Sequence, residues 1–161
     1  MNGKWKTCAV IAGVMLVFDA ATKWWVHSAL GLGDSVPLMG DWIRLTYVMN
    51  PGAAFGLHVG EYSRAAFTVA ALAALAVIAL VLRDTPDTDR VRVAALALVG
   101  GGAAGNLIDR VSRGAVVDFM DVGVGSVCWP VFNVADVGVT VGALVLVLLL
   151  WAEAAPSPAP Q

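Results

Sequence analysis

The chain has 161 residues, 59% of them hydrophobic and only 14% charged, a composition that excludes an ordinary soluble globular domain. A net charge of −2, without any basic cluster, argues against a nucleic-acid partner. Four apolar stretches instead predict membrane-spanning helices, because about 20 mostly apolar residues of helix cross a hydrocarbon core roughly 30 Å thick. The predicted spans are about 8–26, 65–82, 93–108 and 131–151.

The first predicted span carries two opposite charges, Asp19 and Lys23, in its last third. Their i, i+4 spacing places them on one face of a helix, where they can neutralise each other. A single charge at mid-membrane costs about 2.5 to 3.5 kcal/mol, so the pair is not expected to be incidental. We interpret it as a structural pair that braces a site without taking part in chemistry.

The first outer loop, about 27–64, contains an alternating stretch, WIRLTYV, which is typical of a β-strand. This strand is predicted to end at the turn-forming NPG of residues 50–52. The second span follows the loop. After that span, the short charged segment RDTPDTDR is predicted to be a solvated connector at the opposite membrane face.

The third predicted span, about 93–108, is short and rich in glycine. Its GGGAAG run allows neighbouring helix backbones to approach closely, which predicts a central position in the bundle. Asn106, Asp109 and Arg110 lie at its end. Because adjacent helical residues point about 100° apart, Asp109 and Arg110 each need a separate partner.

A second outer loop, about 109–130, contains GAVVDFMD, a candidate for a second extended segment that would join a small sheet over the helix ends. The fourth span then begins with Asn133 and Asp136, and the Pro/Ala-rich tail of about 153–161 is predicted to be disordered. The sequence therefore predicts a single integral membrane domain over residues 1–161. Its predicted fold is an all-α four-helix transmembrane bundle with a small extracytoplasmic β-sheet and loop cradle.

The orientation of the chain follows from where its charges collect. In an alternating four-span topology, the polar residues of spans one, three and four lie at the same membrane face. The flanking Lys and Arg residues divide five to four between the two faces, a slight preference under the positive-inside rule. Both termini are therefore predicted to be cytoplasmic, with the polar residues near the outer face.

No metal or organic cofactor is predicted. The two cysteines, Cys8 and Cys128, belong to opposite membrane faces and cannot pair within one chain, and neither CxxC nor HExxH occurs. His27 and His58 have no ligand spacing around them. A zinc peptidase is therefore not expected.

The segment VVDFMD places Asp118 and Asp121 in an extended stretch, where side chains three residues apart point to opposite sides. Only one of them can readily face the bundle. Asp136 lies about one turn into the fourth span, within reach of a residue on a strand above it. Asp118 and Asp136 are therefore a candidate carboxylate dyad.

Two neighbouring carboxylates in a partly desolvated site cannot easily both ionise, so one of them keeps a proton. The ionised one can then take a proton from a water that attacks a peptide carbonyl, while the protonated one supports the oxyanion and the leaving amine. Spacing alone leaves two alternatives open, a proton-coupled transport site and a purely structural polar cluster. It also leaves open which aspartate holds the proton.

At these positions the chain resembles the type II, or lipoprotein, signal peptidases of bacteria. Each motif that carries the resemblance is weak alone, but their combination in family order within a four-span chain is specific. The motifs are DxxxK at 19–23, NPGAAFG at 50–56, GNLIDR at 105–110, VVDF at 116–119 and FNVAD at 132–136.

The resemblance implies an aspartic endopeptidase of the bacterial plasma membrane that removes the signal peptide of diacylglyceryl-modified prolipoproteins just before the lipid-modified Cys. It implies that Asp118 and Asp136 are catalytic, which leaves Asp121 as a solvated loop carboxylate. The implied partners are diacylglyceryl-prolipoproteins, membrane lipids and a cyclic lipopeptide inhibitor of the globomycin type. The residues implied to bind substrate or support the site are Asn50, Gly52, Asn106, Asp109, Arg110, Asn133, Asp19 and Lys23.

Overall fold

The computed structural model describes residues 3–52, 60–125 and 127–154. The helices in these ranges are α1 (Gly3–Ala29), α2 (Ser63–Asp84), α3 (Arg90–Arg113) and α4 (Val134–Ala154), with a short 3-10 turn, Gly60–Tyr62, before α2. The strands are β1 (Ser35–Met39), β2 (Ile43–Asn50), β3 (Val116–Val124) and β4 (Val127–Cys128). All four helices are long and apolar enough to cross a membrane, so the predicted bundle with a small sheet is confirmed.

Helices α1, α2 and α3 are longer than the predicted spans, because hydropathy does not register the turns beyond the apolar segment, and α4 begins and ends three residues later than its predicted span. Helix α3 continues to Arg113 and ends at Gly114, whose φ of 82° gives the left-handed conformation that favours glycine after a helix. Asp109 and Arg110 therefore lie in the last turns of α3, and the predicted start of the outer loop at 109 was wrong. Helix α4 likewise includes Glu153, whereas residues 155–161 of the predicted tail lie outside the described residues.

Helix α3 is the centre of the bundle and packs against α1, α2 and α4. The close approach depends on its glycines. A Cβ atom at Gly102 would lie 2.4 Å from the carbonyl oxygen of Ala135 on α4, and one at Gly105 would lie 2.7 Å from Oδ2 of Asp19 on α1. The GGGAAG run thus serves helix packing, as the sequence predicted.

Polar contacts cap the helices at the end of the bundle opposite the sheet, which is the end that the sequence predicts to be cytoplasmic. Lys4 Nζ donates to the carbonyl oxygens of Arg83, at 2.7 Å, and Thr85, at 2.6 Å, at the C-terminus of α2. Arg92 pairs with Asp89, the residue that caps α3, and with Glu153 of α4. These contacts join α1 to α2 and α3 to α4 at that end of the bundle.

The four strands form one antiparallel sheet in the order β1-β2-β3-β4. The two central strands correspond to the predicted WIRLTYV and GAVVDFMD segments, and Val48 lies opposite Asp118 in their register. A buried apolar cluster of Val26, Tyr47, Val117 and Phe119 packs the sheet onto the end of α1. The strand that carries Asp118 is thereby fixed over the helix ends.

Candidate active site

The sequence-predicted residues come together where the sheet covers the bundle. They come from distant parts of the chain and form one hydrogen-bonded cluster. The contributions are Asp19 and Lys23 from α1, Asn50 from the end of β2, the carbonyl group of Gly52 from the turn after β2, Asn106, Asp109 and Arg110 from α3, Asp118 from β3, and Asn133 and Asp136 from the start of α4.

Two asparagine amides connect the candidate dyad. Asn133 Nδ2 donates to Asp118 Oδ1 at 2.6 Å and lies 3.2 Å from Asn106 Oδ1. Asn106 Nδ2 in turn donates to Asp136 Oδ1 at 2.8 Å. The two aspartates are therefore members of one polar network, although one lies on a strand and the other at the start of a helix.

The first turn of α4 fixes Asp136 through reciprocal capping. The backbone N–H of Asp136 donates to Asn133 Oδ1 at 3.0 Å, and the backbone N–H of Asn133 donates to Asp136 Oδ2 at 3.1 Å. This exchange satisfies donors that a helix N-terminus otherwise leaves unpaired. The FNVAD motif thus folds locally in a way that presents the Asp136 carboxylate at a helix N-terminus.

Asp118 is only 2% exposed, and its second oxygen accepts a hydrogen bond from Asn50 Nδ2 at 2.8 Å. Burial raises the pKa of Asp118 to about 6. The charge of Asp136 contributes to this increase, whereas the hydrogen bonds from Asn50 and Asn133 and the charge of Lys23 oppose it. A buried carboxylate with a raised pKa beside a second carboxylate is suited to acid–base chemistry near neutral pH.

Lys23 lies at the centre of a buried ionic cluster. Its ammonium group is 2.7 Å from Asp19 Oδ2 and 2.9 Å from Asp109 Oδ2, so the predicted i, i+4 pair exists and has a further acidic partner. Asp19 accepts the backbone N–H of Ala135, and Asp109 accepts that of Val117. Each carboxylate thus fixes the residue that immediately precedes one member of the dyad.

Arg110 holds the turn after β2. Its Nη2 donates to the carbonyl oxygen of Gly52 at 3.0 Å, and its guanidinium carbon lies 5.9 Å from the centre of the Phe67 ring. Within the described ranges, Arg110 Nε is buried without a hydrogen-bond partner. Residues 53–56 of the NPGAAFG motif lie outside the described residues.

Arg64 is a contributor that sequence reasoning missed. It donates from Nε to the carbonyl oxygen of Arg110 at 3.0 Å and from Nη2 to that of Val111 at 3.2 Å. These contacts cap the C-terminus of α3 from the neighbouring helix. Arg64 belongs to none of the five motifs, and only its position before an apolar span set it apart in the sequence.

Asp121 is not the solvated loop carboxylate that was predicted. It lies in β3, is buried, and forms an ion pair with Arg44, whose Nε is 2.9 Å from Asp121 Oδ2. Thr46 also donates to this carboxylate, and the Arg44 guanidinium lowers the pKa of Asp121 below its ordinary value. The loop prediction failed because the strand continues to Val124, which places Asp121 directly opposite Arg44 on β2.

An apolar cavity of about 320 Å³ opens beside Asp136. Its wall is formed by the segment before α4 and by the exposed side of that helix. The cavity-lining residues include Trp129, Phe132, Val137 and Val141. A carboxylate therefore lies at the edge of a space suited to an apolar group.

In the described part of the chain, no group of three or more His, Cys, Asp and Glu side chains is arranged to hold a metal ion. Cys8 and Cys128 are both free thiols, and His58 lies outside the described residues.

The family model and the curated relatives that match this chain belong to one family. A family model described as signal peptidase (SPase) II matches residues 11–152. A lipoprotein signal peptidase of Syntrophus aciditrophicus is 40% identical over 142 residues, which cover 86% of this chain and 88% of the relative. A lipoprotein signal peptidase of Geobacter metallireducens is 40% identical over 149 residues, 92% of each chain.

Two solved structures have the same fold. Both are described as bacterial membrane enzymes determined by the in meso method. One has a TM-score of 0.85 at 28% identity and covers 97% of this chain and 94% of its own. The other has a TM-score of 0.80 at 30% identity, with 90% and 92% covered.

Proposed function

The chain belongs to the signal peptidase II family and is a multi-pass membrane peptidase; from this premise we propose that it is an aspartic endopeptidase with Asp118 and Asp136 as its dyad. The proposed substrates are diacylglyceryl-modified prolipoproteins. The proposed cleavage site is the peptide bond just before the lipid-modified Cys. The observation that carries this proposal is the amide network that joins two carboxylates of different burial.

In the proposed reaction a water lies between the two carboxylates and attacks the scissile carbonyl carbon. The ionised aspartate accepts a proton from this water as the new C–O bond forms, and the protonated aspartate donates to the carbonyl oxygen. The resulting tetrahedral intermediate collapses as the C–N bond breaks. The leaving amine takes the proton that the first aspartate accepted from water. The other aspartate recovers a proton from the hydroxyl group of the intermediate that becomes part of the new carboxyl group, so the dyad returns to its starting state.

The neighbouring polar groups support substrate binding in this scheme. Arg110 carries a buried N–H donor, at Nε, that is not used within the described residues, and its guanidinium is beside the Asn50–Gly52 turn. Such a donor suits a peptide carbonyl. Asp19, Lys23, Asp109, Asn106 and Asn133 hold the dyad and its two backbone segments in position.

The cavity beside Asp136 suits the apolar part of a lipid-modified substrate, because its wall is almost wholly hydrophobic. Membrane lipids, and a cyclic lipopeptide of the globomycin type, would then compete for the same region. A proton-coupled transporter is less well supported. Its relay would need ionisable groups through the inner half of the bundle, yet the segments AVIAGVML of α1 and VGALVLVLLL of α4 contain none.

The proposed orientation has cytoplasmic termini and an active site near the outer face of the plasma membrane. Cys128 provides a direct test, since it is exposed on β4, a strand of the sheet that covers the site. A membrane-impermeant maleimide added to intact cells should label a Cys8→Ala variant, in which Cys128 is the remaining thiol. If Cys128 is labelled only after the membrane is disrupted, it lies at the cytoplasmic face and the proposed orientation is wrong.

The test of the proposed reaction compares two forms of one precursor. Purified protein in detergent is given a prolipoprotein with a diacylglyceryl-modified Cys and the same precursor without the lipid. Mass spectrometry of the products should show a new N-terminus at the modified Cys, formed only from the lipid-bearing form. Cleavage at another bond, or equal cleavage of both forms, would contradict the proposed specificity.

A further inference from the structure

The first turns of α2 contact Arg110 in two places, and we infer that Arg64 and Phe67 are positioning residues that set the affinity of the site for its peptide substrate. Because Arg110 is the proposed ligand of a peptide carbonyl, this role rests on the proposed function. Neither Arg64 nor Phe67 belongs to any of the five motifs. Both act through Arg110 and are not proposed to touch the reacting atoms.

Arg64 holds the backbone of Arg110. The last four carbonyl groups of a helix have no partner within that helix, and in α3 they belong to residues 110–113. Arg64 Nε donates to the carbonyl oxygen of Arg110 at 3.0 Å, and its Nη2 donates to that of Val111 at 3.2 Å. A guanidinium group suits this task because its donors form a rigid planar fork and its charge favours a helix C-terminus.

Phe67 contacts the side chain of the same arginine. Residues three apart on a helix lie on one face, so Arg64 and Phe67 both belong to the face of α2 that meets α3. The guanidinium carbon of Arg110 lies 5.9 Å from the centre of the Phe67 ring, within the range of a cation–π contact. Helix α2 therefore holds Arg110 at both ends, the carbonyl group through Arg64 and the guanidinium group through Phe67.

The other contacts of Arg110 leave one of its donors unused. Nη1 donates to the carbonyl oxygen of Asn106 at 3.2 Å, one turn earlier in α3, and Nη2 donates to that of Gly52 at 3.0 Å. Nε is buried and has no partner among the described residues. A buried donor without a partner is costly, and a substrate carbonyl that meets it removes this cost. The direction of the Arg110 guanidinium therefore decides how well such a carbonyl can bind.

The start of α2 depends on polar contacts for its position. Two residues of this helix are buried, Ser63 and Leu82, and most of its apolar surface faces the surrounding membrane. Apolar packing gives little net driving force between helices in lipid, because lipid tails are as apolar as the side chains. The hydrogen bonds of Arg64 therefore make a large contribution to the fixed distance between α2 and the end of α3.

Loss of the Arg64 donors should move Arg110 while every group that contacts the substrate remains present. Arg64→Met keeps much of the length of the side chain but has no donor. The start of α2 should then separate from the end of α3, and the Phe67 ring should leave the Arg110 guanidinium. Binding of the substrate and of the transition state should weaken equally, which raises KM and leaves kcat nearly unchanged.

The position of Arg110 can be measured without activity, by NMR of the full chain in detergent with isotope-labelled arginine. Arg110→Lys identifies the Nε–H signal of Arg110 by its loss. Arg64→Met should shift this signal. Arg83→Met should leave it in place and is the matched control, because Arg83 is exposed at the opposite end of α2 and pairs with Asp84. An unmoved Arg110 signal in folded Arg64→Met protein would overturn the positioning role.

Cleavage kinetics of the lipid-modified precursor test the effect on affinity. Arg64→Met should raise KM about tenfold, as expected for the loss of one hydrogen bond to a charged donor, with kcat within about twofold. Its Tm should stay within about 4 °C of wild type, because a charge at an exposed helix end contributes little to stability. Arg64→Lys restores the charge and should recover part of the affinity, and Phe67→Leu should raise KM about two- to fivefold. A lower kcat at unchanged KM in Arg64→Met would contradict a role in binding.

A double-mutant cycle separates positioning from general structural damage. If Arg64 acts through Arg110, the combination of Arg64→Met with Arg110→Lys should have the same KM as Arg110→Lys alone. Additive increases in KM would mean that Arg64 affects the substrate by another route, and the proposed role would be wrong.

The outcomes distinguish this role from the proposed function. If wild-type protein cleaves the precursor and Arg64→Met has the wild-type KM, the role of Arg64 is wrong and the peptidase reaction stands. If wild-type protein leaves the lipid-modified precursor uncut, the proposed function fails. The NMR signal of Arg110 then still shows whether Arg64 holds this side chain in position.

Discussion

Substitution of Gly102 by alanine should move Asp136 without touching any polar group of the site. The added Cβ would lie 2.4 Å from the carbonyl oxygen of Ala135 and 2.8 Å from Cγ2 of Val139. Ordinary contact begins at about 3.4 Å, so α4 must move by about 1 Å at this level, because a backbone oxygen cannot rotate away. Ala135 directly precedes Asp136, and the displacement is therefore transmitted to the dyad.

A misplacement of about 1 Å costs on the order of 100-fold in rate when a reacting group must keep its geometry. Overpacking costs about 1 to 3 kcal/mol, and the replacement of a helical glycine returns about 1 kcal/mol. Gly102→Ala should thus lose on the order of 100-fold in kcat and lower the free energy of unfolding by up to about 2 kcal/mol.

The matched control for this experiment is Gly100→Ala in the same helix. Its Cβ would meet only Cγ2 of Ile78, at 3.6 Å, which is ordinary contact. This variant should keep its activity and be more stable by about 0.5 to 1 kcal/mol. The assays are the initial rate of prolipoprotein cleavage and thermal unfolding in detergent. Wild-type activity in a folded Gly102→Ala protein would refute the close α3–α4 contact and its link to Asp136.

Three further predictions concern pH, the opposite helix ends and metals. Because burial raises the pKa of Asp118 to about 6, this residue changes from protonated to ionised as the pH rises through that value. The dyad needs one proton, so kcat/KM should change by up to about tenfold per pH unit on one side of about pH 6, and a profile that is flat from about pH 5 to about pH 8 would contradict a catalytic role for Asp118. Lys4→Met removes two hydrogen bonds to carbonyl oxygens at the C-terminus of α2. Thermal unfolding should show a loss of about 1 to 3 kcal/mol of stability. The rate of cleavage per folded molecule, measured after active-site titration, should stay at the wild-type value. A chelator such as EDTA should leave cleavage unchanged, and an activity restored only by added Zn²⁺ would count against an aspartate mechanism.

Much of the fold could be predicted from the sequence because membrane solvation imposes strong local rules. Apolar length predicted the four spans, alternation predicted β2, and the glycine run predicted the central position of α3. The ends of the helices could be predicted less well, because capping depends on single residues. Gly114 and Asp89 decide where α3 ends and begins, and neither changes the hydropathy of the span.

The candidate site could be predicted from its polar residues, because polar and charged side chains are costly in a membrane. Their identity pointed to one face, but their pairing could not be read from spacing. Asp109 joins Lys23 across two helices, and Asp121 meets Arg44 only because of the register between β2 and β3. Such contacts depend on three-dimensional packing, as does the cap that Arg64 provides for α3.

The most direct test of the proposed dyad is a gel-shift cleavage assay of a diacylglyceryl-modified prolipoprotein with wild-type protein, Asp118→Asn and Asp136→Asn. Asp121→Asn is the control, because this buried aspartate lies on the same strand as Asp118 but bonds to Arg44 and Thr46 instead. We predict cleavage before the modified Cys by wild type and by Asp121→Asn, and loss of turnover in both dyad variants with melting temperatures kept. Cleavage at the wild-type rate by either folded dyad variant would contradict the aspartate mechanism.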